Sequence, residues 1–345
     1  MRLFWLVFLS AALAACSSST SSSGGTGGSP GTGGAGGGGG QGGGTAGITY
    51  PTLECDTLSP EICGFPFPSN VFTEVDDTTV TGRRVALSEA LFLDGDPSYW
   101  NLSDGFSAGT PIITFFPGIA TGQFAGVDDI DASLASGSPT IVLDAETGEL
   151  VPHFAQIDMR APSAEQRSTM IRPVVRLRDN ARYIVAFRNL RNEQDELIEP
   201  SPAFAALRDG TDSDDESVDA RRALYEDIFE KLEGAGWSSD DIQLAWDFNT
   251  ASDENNTQWL IHMRDTALDL VADGIEYTIE SVESEFPGDT TKTENIAFRL
   301  KGTYRVPNFM TSVEAGSVLV FGDDGLPMVN PETPWMDVPF EMLIP

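Results

Sequence analysis

Histidine is scarce in this sequence, with only His153 and His262 among 345 residues. The scarcity restricts catalysis, because a nucleophilic serine needs a histidine base that is itself oriented by a carboxylate. His153 falls on the outgoing arm of a predicted hairpin, and His262 lies beside the apolar stripe of a predicted helix. We therefore expect both histidines to be structural.

Basic residues are also few. The chain has 20 Lys and Arg against 53 Asp and Glu, which gives a formal net charge of -33. A surface this electronegative repels nucleic acid, so nucleic-acid binding is excluded as a function class. It also opposes binding to an anionic membrane face by charge alone. High solubility or a saline habitat is consistent with such a composition.

Only three cysteines occur, at Cys16, Cys55 and Cys63. In an oxidising compartment, Cys55 and Cys63 are spaced to close a small loop. Neither a histidine nor another cysteine lies near this pair, which disfavours a metal site. We predict a disulfide between Cys55 and Cys63, and we predict no metal or other cofactor.

Long apolar runs are almost absent as well. The one pronounced run, residues 3–9, follows Arg2 and precedes small residues that end at Cys16. A charged start, a short apolar core and a small-residue cleavage site predict an export signal over residues 1–15. No second run has membrane-spanning length, so the anchor we expect is the N-terminus.

The residues before Cys16 resemble the bacterial lipobox. The resemblance implies that the chain is cut before Cys16 and that its thiol is diacylated, which holds a protein on a bilayer. Ser17 at the next position resembles lipoproteins that are sorted to an outer membrane. The alternative is an ordinary cleaved signal with an incidental cysteine.

Residues 16–47 are predicted to be a disordered tether. About half of residues 17–47 are glycine, most of the others are Ser or Thr, and none is charged. Such a segment cannot bury apolar surface. As a flexible coil it spans roughly 30 Å, which would hold the folded part away from the membrane.

The remaining chain predicts an α+β fold that is predominantly β. One hairpin covers residues 140–157 with its turn at 146–148, and a second pairs residues 169–177 with 183–190. Turn residues separate the two arms in each case, at 146–148 and at 178–181.

Two further segments carry a large apolar residue at every second position. They span residues 242–249 and 296–301, and each predicts a half-buried strand.

Two long helices are also predicted. Ser217 can cap the first, which Gly234 ends, and Ser252 can cap the second. Both carry an apolar stripe that is most simply a core contact. The stripes consist of Leu224, Tyr225, Ile228, Phe229 and Leu232, and of Leu260, Met263, Ala267, Leu270 and Val271.

Residues 105–109 match the G-x-S-x-G pattern of a serine hydrolase nucleophile, with Ser107 as the serine. The mechanism needs a strand before the serine and a helix after it. Here a loop-like stretch precedes Ser107 and a strand-like stretch follows. Ser107 is therefore a weak catalytic candidate.

Arginines are concentrated between residues 160 and 191. They stand at Arg160, Arg167, Arg172, Arg176, Arg178, Arg182, Arg188 and Arg191. One interpretation is an anion patch, with Arg172, Arg176, Arg178 and Arg182 gripping a headgroup or carboxylate. The alternative is internal pairing with the surplus of acids.

Several motifs together resemble the N-terminal region of the bacterial virulence-factor-type lipases, which are exported and often lipid-anchored α/β-hydrolases. They lie at 66–72 (PFPSNVF), 81–85 (TGRRV), 104–107 (DGFS), 172–177 (RPVVRL), 183–186 (YIVA), 200–204 (PSPAF) and 244–252 (LAWDFNTAS). The likeness spans roughly residues 55–345.

The resemblance implies a division of the chain. Residues 48–274 correspond to a β-rich accessory domain with two long helices. Residues 275–345 correspond to the opening strands of an incomplete α/β-hydrolase-like sheet, at 302–307 and 338–345. The family's catalytic triad follows this region, so no catalytic residue can be carried over, and Ser107 matches a motif of the accessory region itself.

We therefore expect an exported lipoprotein, anchored to the outer membrane through Cys16, that is the accessory region of a lipase-like or esterase-like hydrolase without its triad. The full-length protein would then cleave carboxylic esters, and a lipid or acyl ester is the expected ligand. One alternative is a complete non-catalytic surface lipoprotein that binds a ligand or protein partner. A second is a serine esterase that uses Ser107.

Overall fold

A computed structural model describes residues 50–345, apart from residue 52 and residues 93–94, 164–165 and 285–295. The predicted signal, the lipidation site Cys16 and the tether lie outside the described residues. Within them, no helix combines the length and hydropathy that crossing a bilayer requires.

The described residues form eleven strands and three α-helices, with short 3-10 turns between them. The strands are β1 (Thr73–Val75), β2 (Arg83–Val85), β3 (Ile112–Phe115), β4 (Thr140–Asp144), β5 (His153–Ile157), β6 (Ser168–Pro173), β7 (Arg182–Arg188), β8 (Ile242–Asn249), β9 (Tyr277–Glu283), β10 (Phe298–Pro307) and β11 (Trp335–Ile344). The helices are α1 (Pro202–Asp209), α2 (Glu216–Gly234) and α3 (Asp253–Leu270). The predicted α+β class with predominant β structure is confirmed.

The central sheet has the strand order β4-β7-β8, and both pairings are antiparallel. Every residue of β7 is buried, and β8 is buried up to its last residue. The strand predicted at 242–249 therefore exists, but the prediction that it is half-buried was wrong. Its polar face is also covered, because Gln243 bonds to the backbone of Leu190 and Asp247 pairs with Arg182.

A second antiparallel sheet has the order β3-β6-β5. Both predicted hairpins were wrong in their strand pairing. The turn at 146–148 forms, and the amide of Val151 donates to the carbonyl of Val142 at 2.8 Å. Beyond that turn, however, β4 and β5 enter different sheets. The second hairpin does not form, since β6 and β7 also lie in different sheets. Strand β4 pairs with β7, and β5 pairs instead with the next strand, β6, which also pairs with β3.

Helices α1 and α2 pack on the central sheet, against β8. Asp215 caps α2 by accepting from the amide of Ser217, so the predicted cap at Ser217 was wrong by two residues. The predicted stripe is buried at four positions, and Phe229 is partly buried against the core. At the centre of this layer, the hydroxyl of Tyr225 donates to the carbonyl of Ala245 on β8 at 2.7 Å.

Helix α3 begins where predicted, with the Ser252 hydroxyl accepting from the amide of Asn255 at 3.0 Å. Its apolar stripe, however, is not a core contact. No residue of α3 is buried, and Leu260 and Leu270 are 69% and 49% exposed. Among the described residues, none after Phe248 belongs to the main hydrophobic cluster.

The third antiparallel sheet has the order β11-β10-β9. Strands β10 and β11 pair along their full length, from Phe298 opposite Ile344 to Pro307 opposite Trp335. The segments predicted at 296–301 and 302–307 together overlap the single strand β10, and the segment predicted at 338–345 overlaps β11. A separate two-stranded sheet pairs β1 with β2.

Candidate functional site

Ser107 lies in a turn and not on a nucleophile elbow. Phe106 forms an isolated bridge with Thr250, after which the chain turns and enters β3. The exposed hydroxyl of Ser107 accepts a hydrogen bond from the amide of Gly109 at 3.2 Å. No helix follows the serine, so the backbone geometry that activates such a nucleophile is missing at this turn.

Neither histidine of the chain hydrogen-bonds to Ser107. His153 is buried, with Nε2 2.9 Å from the Thr140 hydroxyl and Nδ1 2.8 Å from the carbonyl of Val151. Burial lowers the pKa of His153 below its ordinary value, which favours the neutral imidazole. His262 lies on α3, where it lines an open cleft of about 480 Å³.

The residues around the G-x-S-x-G match have a structural role. A Cβ on Gly105 would lie 2.6 Å from the amide nitrogen of Ala251, so only glycine allows the two backbones to approach. The Asp104 carboxylate accepts from the amide of Ser252 at 2.9 Å, and Asn255 accepts from the amide of Asp104 at 3.2 Å. The motif therefore fastens the loop to the start of α3.

The motifs that carry the lipase resemblance meet in the fold. The Trp246 indole donates to the carbonyl of Pro68 at 2.7 Å, which joins residues 244–252 to residues 66–72. The Thr250 hydroxyl donates to the carbonyl of Arg178 at 2.6 Å and accepts from the amide of Ala181 at 3.0 Å. The motifs at 66–72 and 244–252 thus hold each other in place, and Thr250 ties the second of them to residues 178–181.

Sequence reasoning missed the bonding role of these polar residues. Asn70 and Thr250 are fully buried within motifs that are otherwise rich in apolar residues. Short polar residues inside apolar motifs were the available signal, because buried polar groups are normally hydrogen-bonded. The pattern does not name their partners.

Three of the four arginines predicted as an anion patch are engaged by carboxylates. Arg176 forms a bidentate pair with Asp179, and Arg178 forms one with Asp144. Arg182 is buried between Asp227 and Asp247. The contact of Arg172 is with the sulfur of Met170 at 3.9 Å.

This arrangement favours internal pairing, the alternative interpretation of the arginine cluster. The anion patch stays a prediction without geometric support.

The pair of Arg182 and Asp247, the most buried of these, belongs to a larger network of side chains. The Tyr50 hydroxyl donates to Asp247 Oδ2 at 2.6 Å, and the Arg182 guanidinium donates to the same oxygen. The Arg83 guanidinium lies 4.2 Å from the centroid of the Tyr50 ring. Burial raises the pKa of Tyr50, and the Asp247 carboxylate adds to that effect. Because the Tyr50 hydroxyl and the Arg182 guanidinium both hold the Asp247 carboxylate, we interpret the network as structural, although Arg182 Nη2 is buried without a hydrogen-bond partner.

The predicted disulfide between Cys55 and Cys63 is present. In the described part of the chain, no group of three or more His, Cys, Asp or Glu side chains is placed to hold a metal ion.

The β9–β11 sheet has two sharply different faces. Strand alternation and register place twelve apolar side chains on one face, which we call the apolar face. None of the twelve is buried. They are Tyr277, Ile279, Val282, Phe298, Leu300, Tyr304, Val306, Met336, Val338, Phe340, Met342 and Ile344.

The opposite face of this sheet carries the charges. Arg299 pairs with Glu283 at 2.5 Å and lies 3.9 Å from Glu341, and Lys301 lies 3.6 Å from Glu283. A half-solvated antiparallel sheet normally turns its polar face to water and packs its apolar face on a core. The charged face of this sheet fits that description. The apolar face, however, does not pack on a core within the described residues.

Comparison with known proteins returned no match to a family model, to a curated protein or to a solved structure.

Proposed function

We propose that this chain is the membrane-anchored accessory region of a lipase-like or esterase-like hydrolase. In this role it supplies a rigid scaffold and a docking face, and the catalytic groups belong to a serine hydrolase unit that packs on the apolar face. The observation that carries the proposal is the apolar face itself.

The size of the apolar face supports a docking role. Five of its side chains, Tyr277, Val282, Met342, Phe298 and Ile279, are exposed at 70%, 61%, 52%, 44% and 40%. Because large side chains carry roughly 150–250 Å² each, these five alone leave on the order of 500 Å² of apolar surface in water. Contiguous patches of this size on soluble proteins commonly mark interaction sites.

The shape of the apolar face suits the helical layer of an α/β unit. The ten residues of β10 span about 33 Å, and three strands are about 14 Å wide. A helix about 10 Å in diameter that lies along the strands covers most of this width. Helices on the face of a sheet are the usual way in which such folds bury apolar strands.

The anchor completes the proposal. The export signal, Cys16 and the glycine-rich segment that follows support a lipid tether for the folded part, with the outer membrane as the proposed location. A tether of roughly 30 Å would keep the folded part, and a hydrolase unit docked on it, close to a membrane surface, where lipid and acyl ester substrates are concentrated. Carboxylic ester hydrolysis is the activity that the resemblance implies for the assembled enzyme.

A second candidate is a non-catalytic lipoprotein that binds another kind of protein through the same face. The unburied residues Leu260 and Leu270 of α3 favour a binding surface that extends beyond the sheet. The identity of the bound protein separates the two candidates.

Photo-crosslinking in the producing cell tests the proposal. A photoreactive amino acid replaces Met342 on the apolar face, and a matched control replaces Asp337 on the charged face. We expect only the Met342 position to give an adduct that also reacts with a fluorophosphonate probe, which marks serine hydrolases. An adduct without fluorophosphonate reactivity, or one between two copies of this chain, would contradict the accessory role.

A further inference from the structure

A small loop closed by the disulfide lies against α2. Cys55 and Cys63, which bound it, are exposed to solvent. The residues that follow Cys55 point the other way: Asp56, Leu58 and Ser59 are 1%, 4% and 2% exposed. The disulfide is thus accessible from solution, while the side chains of Asp56, Leu58 and Ser59 within the loop are buried.

One of these buried side chains, Asp56, forms an ion pair with Arg221 of α2. Asp56 Oδ1 lies 2.7 Å from Arg221 Nη1 on α2, and the two side chains are 0% and 1% exposed. Burial raises the pKa of Asp56 above its ordinary value in spite of the nearby guanidinium. An arginine this deeply buried depends on its carboxylate, because removing one partner of such a pair leaves an uncompensated charge.

Several hydrogen-bonding atoms around this ion pair lack partners while the loop lies against α2. Asp56 Oδ2, Arg221 Nε and Ser59 Oγ are all buried without a hydrogen-bond partner. Each of these atoms would gain water if the loop lifted, so their desolvation opposes closure. Burial of Leu58 in the core and the disulfide hold the loop closed. The Thr57 and Ser217 hydroxyls, 3.3 Å apart, add a weak contact.

We propose that the disulfide between Cys55 and Cys63 is a redox latch on the joint between Asp56 and Arg221. A dithiol reductant breaks the sulfur–sulfur bond, passes two electrons and two protons to the cysteines, and becomes a disulfide itself. The freed loop then lifts from α2, water reaches the three unpartnered atoms, and Arg221 loses its carboxylate. Oxidation of the two thiols by a disulfide-donating oxidoreductase reverses each step.

The use of such a latch rests on the proposed function, specifically on export. In a reducing cytoplasm the thiols stay reduced, and the loop and the first turns of α2 stay open. In an oxidising envelope the disulfide forms and the layer closes. The latch thereby couples the final closure of the fold to arrival outside the cytoplasm.

Hydrogen exchange of the purified full-length chain, with and without dithiothreitol, tests the latch. We expect reduction to speed amide exchange by about tenfold or more in residues 56–62 and in the first turns of α2, while β7 and β8 keep their protection. The double variant Cys55→Ser, Cys63→Ser should exchange like the reduced chain whether or not dithiothreitol is present. Unchanged exchange in residues 56–62 after complete reduction would overturn the proposal.

A second variant asks whether the ion pair is what makes the joint depend on the disulfide. Asp56→Leu with Arg221→Met replaces the pair by unbranched and branched apolar side chains and removes two of the unpartnered atoms. The reduced form of this variant should exchange in residues 56–62 at least tenfold more slowly than the reduced natural chain. Equal exchange in the two reduced proteins would contradict the latch and leave an ordinary stabilising disulfide. The result does not affect the proposed hydrolase role, whose test uses a different face.

Discussion

The side-chain amide of Asn70 donates to Asn249 Oδ1 at 2.8 Å, and Asn70 Oδ1 accepts from the backbone amide of Asn249 at 3.0 Å. This reciprocal pair joins residues that are 179 positions apart and closes the end of β8 against the N-terminal part of the fold. Asn70 is fully buried. Both residues belong to motifs that carry the lipase resemblance, and in this fold their bonds are structural.

Asn70→Ala should lower the free energy of unfolding by about 2–3 kcal/mol, because it removes two hydrogen bonds and leaves the amide of Asn249 without its side-chain acceptor. Urea unfolding followed by tryptophan fluorescence measures the change. Asn256→Ala is the matched control, since that exposed side chain makes a single bond, to Asp179, and its loss should cost under about 0.5 kcal/mol. Equal losses in the two variants would contradict a structural role for the buried pair.

Elements that depend on local pattern could be predicted from the sequence. The strand at 242–249 and the four deeply buried residues of α2 follow from periodicity, and Ser252 follows from cap chemistry. Pairing partners could not be predicted in the same way. The segment at 169–177 looks like a hairpin arm, yet β6 pairs with β3 and β5, because contacts between distant segments leave no trace in a local window.

The candidate site follows the same division. The weakness of Ser107 was predictable, because the residues on either side of it reverse the required order of strand and helix. The carboxylate partners of Arg178 and Arg182 were not predictable, since any of many acids could have filled those positions. The stripe on α3 shows the limit most clearly: periodicity found an apolar face correctly but could not show that nothing among the described residues buries it.

Asp76 should titrate with a midpoint near pH 2. The Thr78 hydroxyl donates to its carboxylate, as do the amide of Thr78 and the Arg84 guanidinium, and together these bonds lower the pKa of Asp76 to about 2 from 3.8. Because the folded pKa is depressed, the stabilisation is fully present above pH 3.8 and is lost as the pH falls towards 2. Carbon-detected NMR of the side-chain carboxyl follows the titration directly.

Thr78→Val provides the check on this assignment. It removes the hydroxyl donor and should move the midpoint of Asp76 up towards 3.8. An Asp76 that titrates at 3.8 in the natural chain would show that these bonds do not favour the ionised form.

Cys16→Ala should abolish attachment to the membrane. With the thiol removed, no acyl chain can be added, and a chain without acyl groups has no lipid to hold it on a bilayer. Radiolabelled palmitate incorporation and membrane fractionation measure the two effects, with Ser17→Ala as a control that keeps the label. A Cys16→Ala chain that still carries fatty acid would rule out the proposed anchor.

The central claim is that the folded part of this chain is a scaffold and docking face and that Ser107 is not a nucleophile. Steady-state hydrolysis of a short acyl ester by the purified full-length chain, beside Ser107→Ala, tests it most directly. The account predicts that both proteins hydrolyse the ester no faster than buffer. Hydrolysis well above that background by the natural chain, abolished by Ser107→Ala, would contradict it.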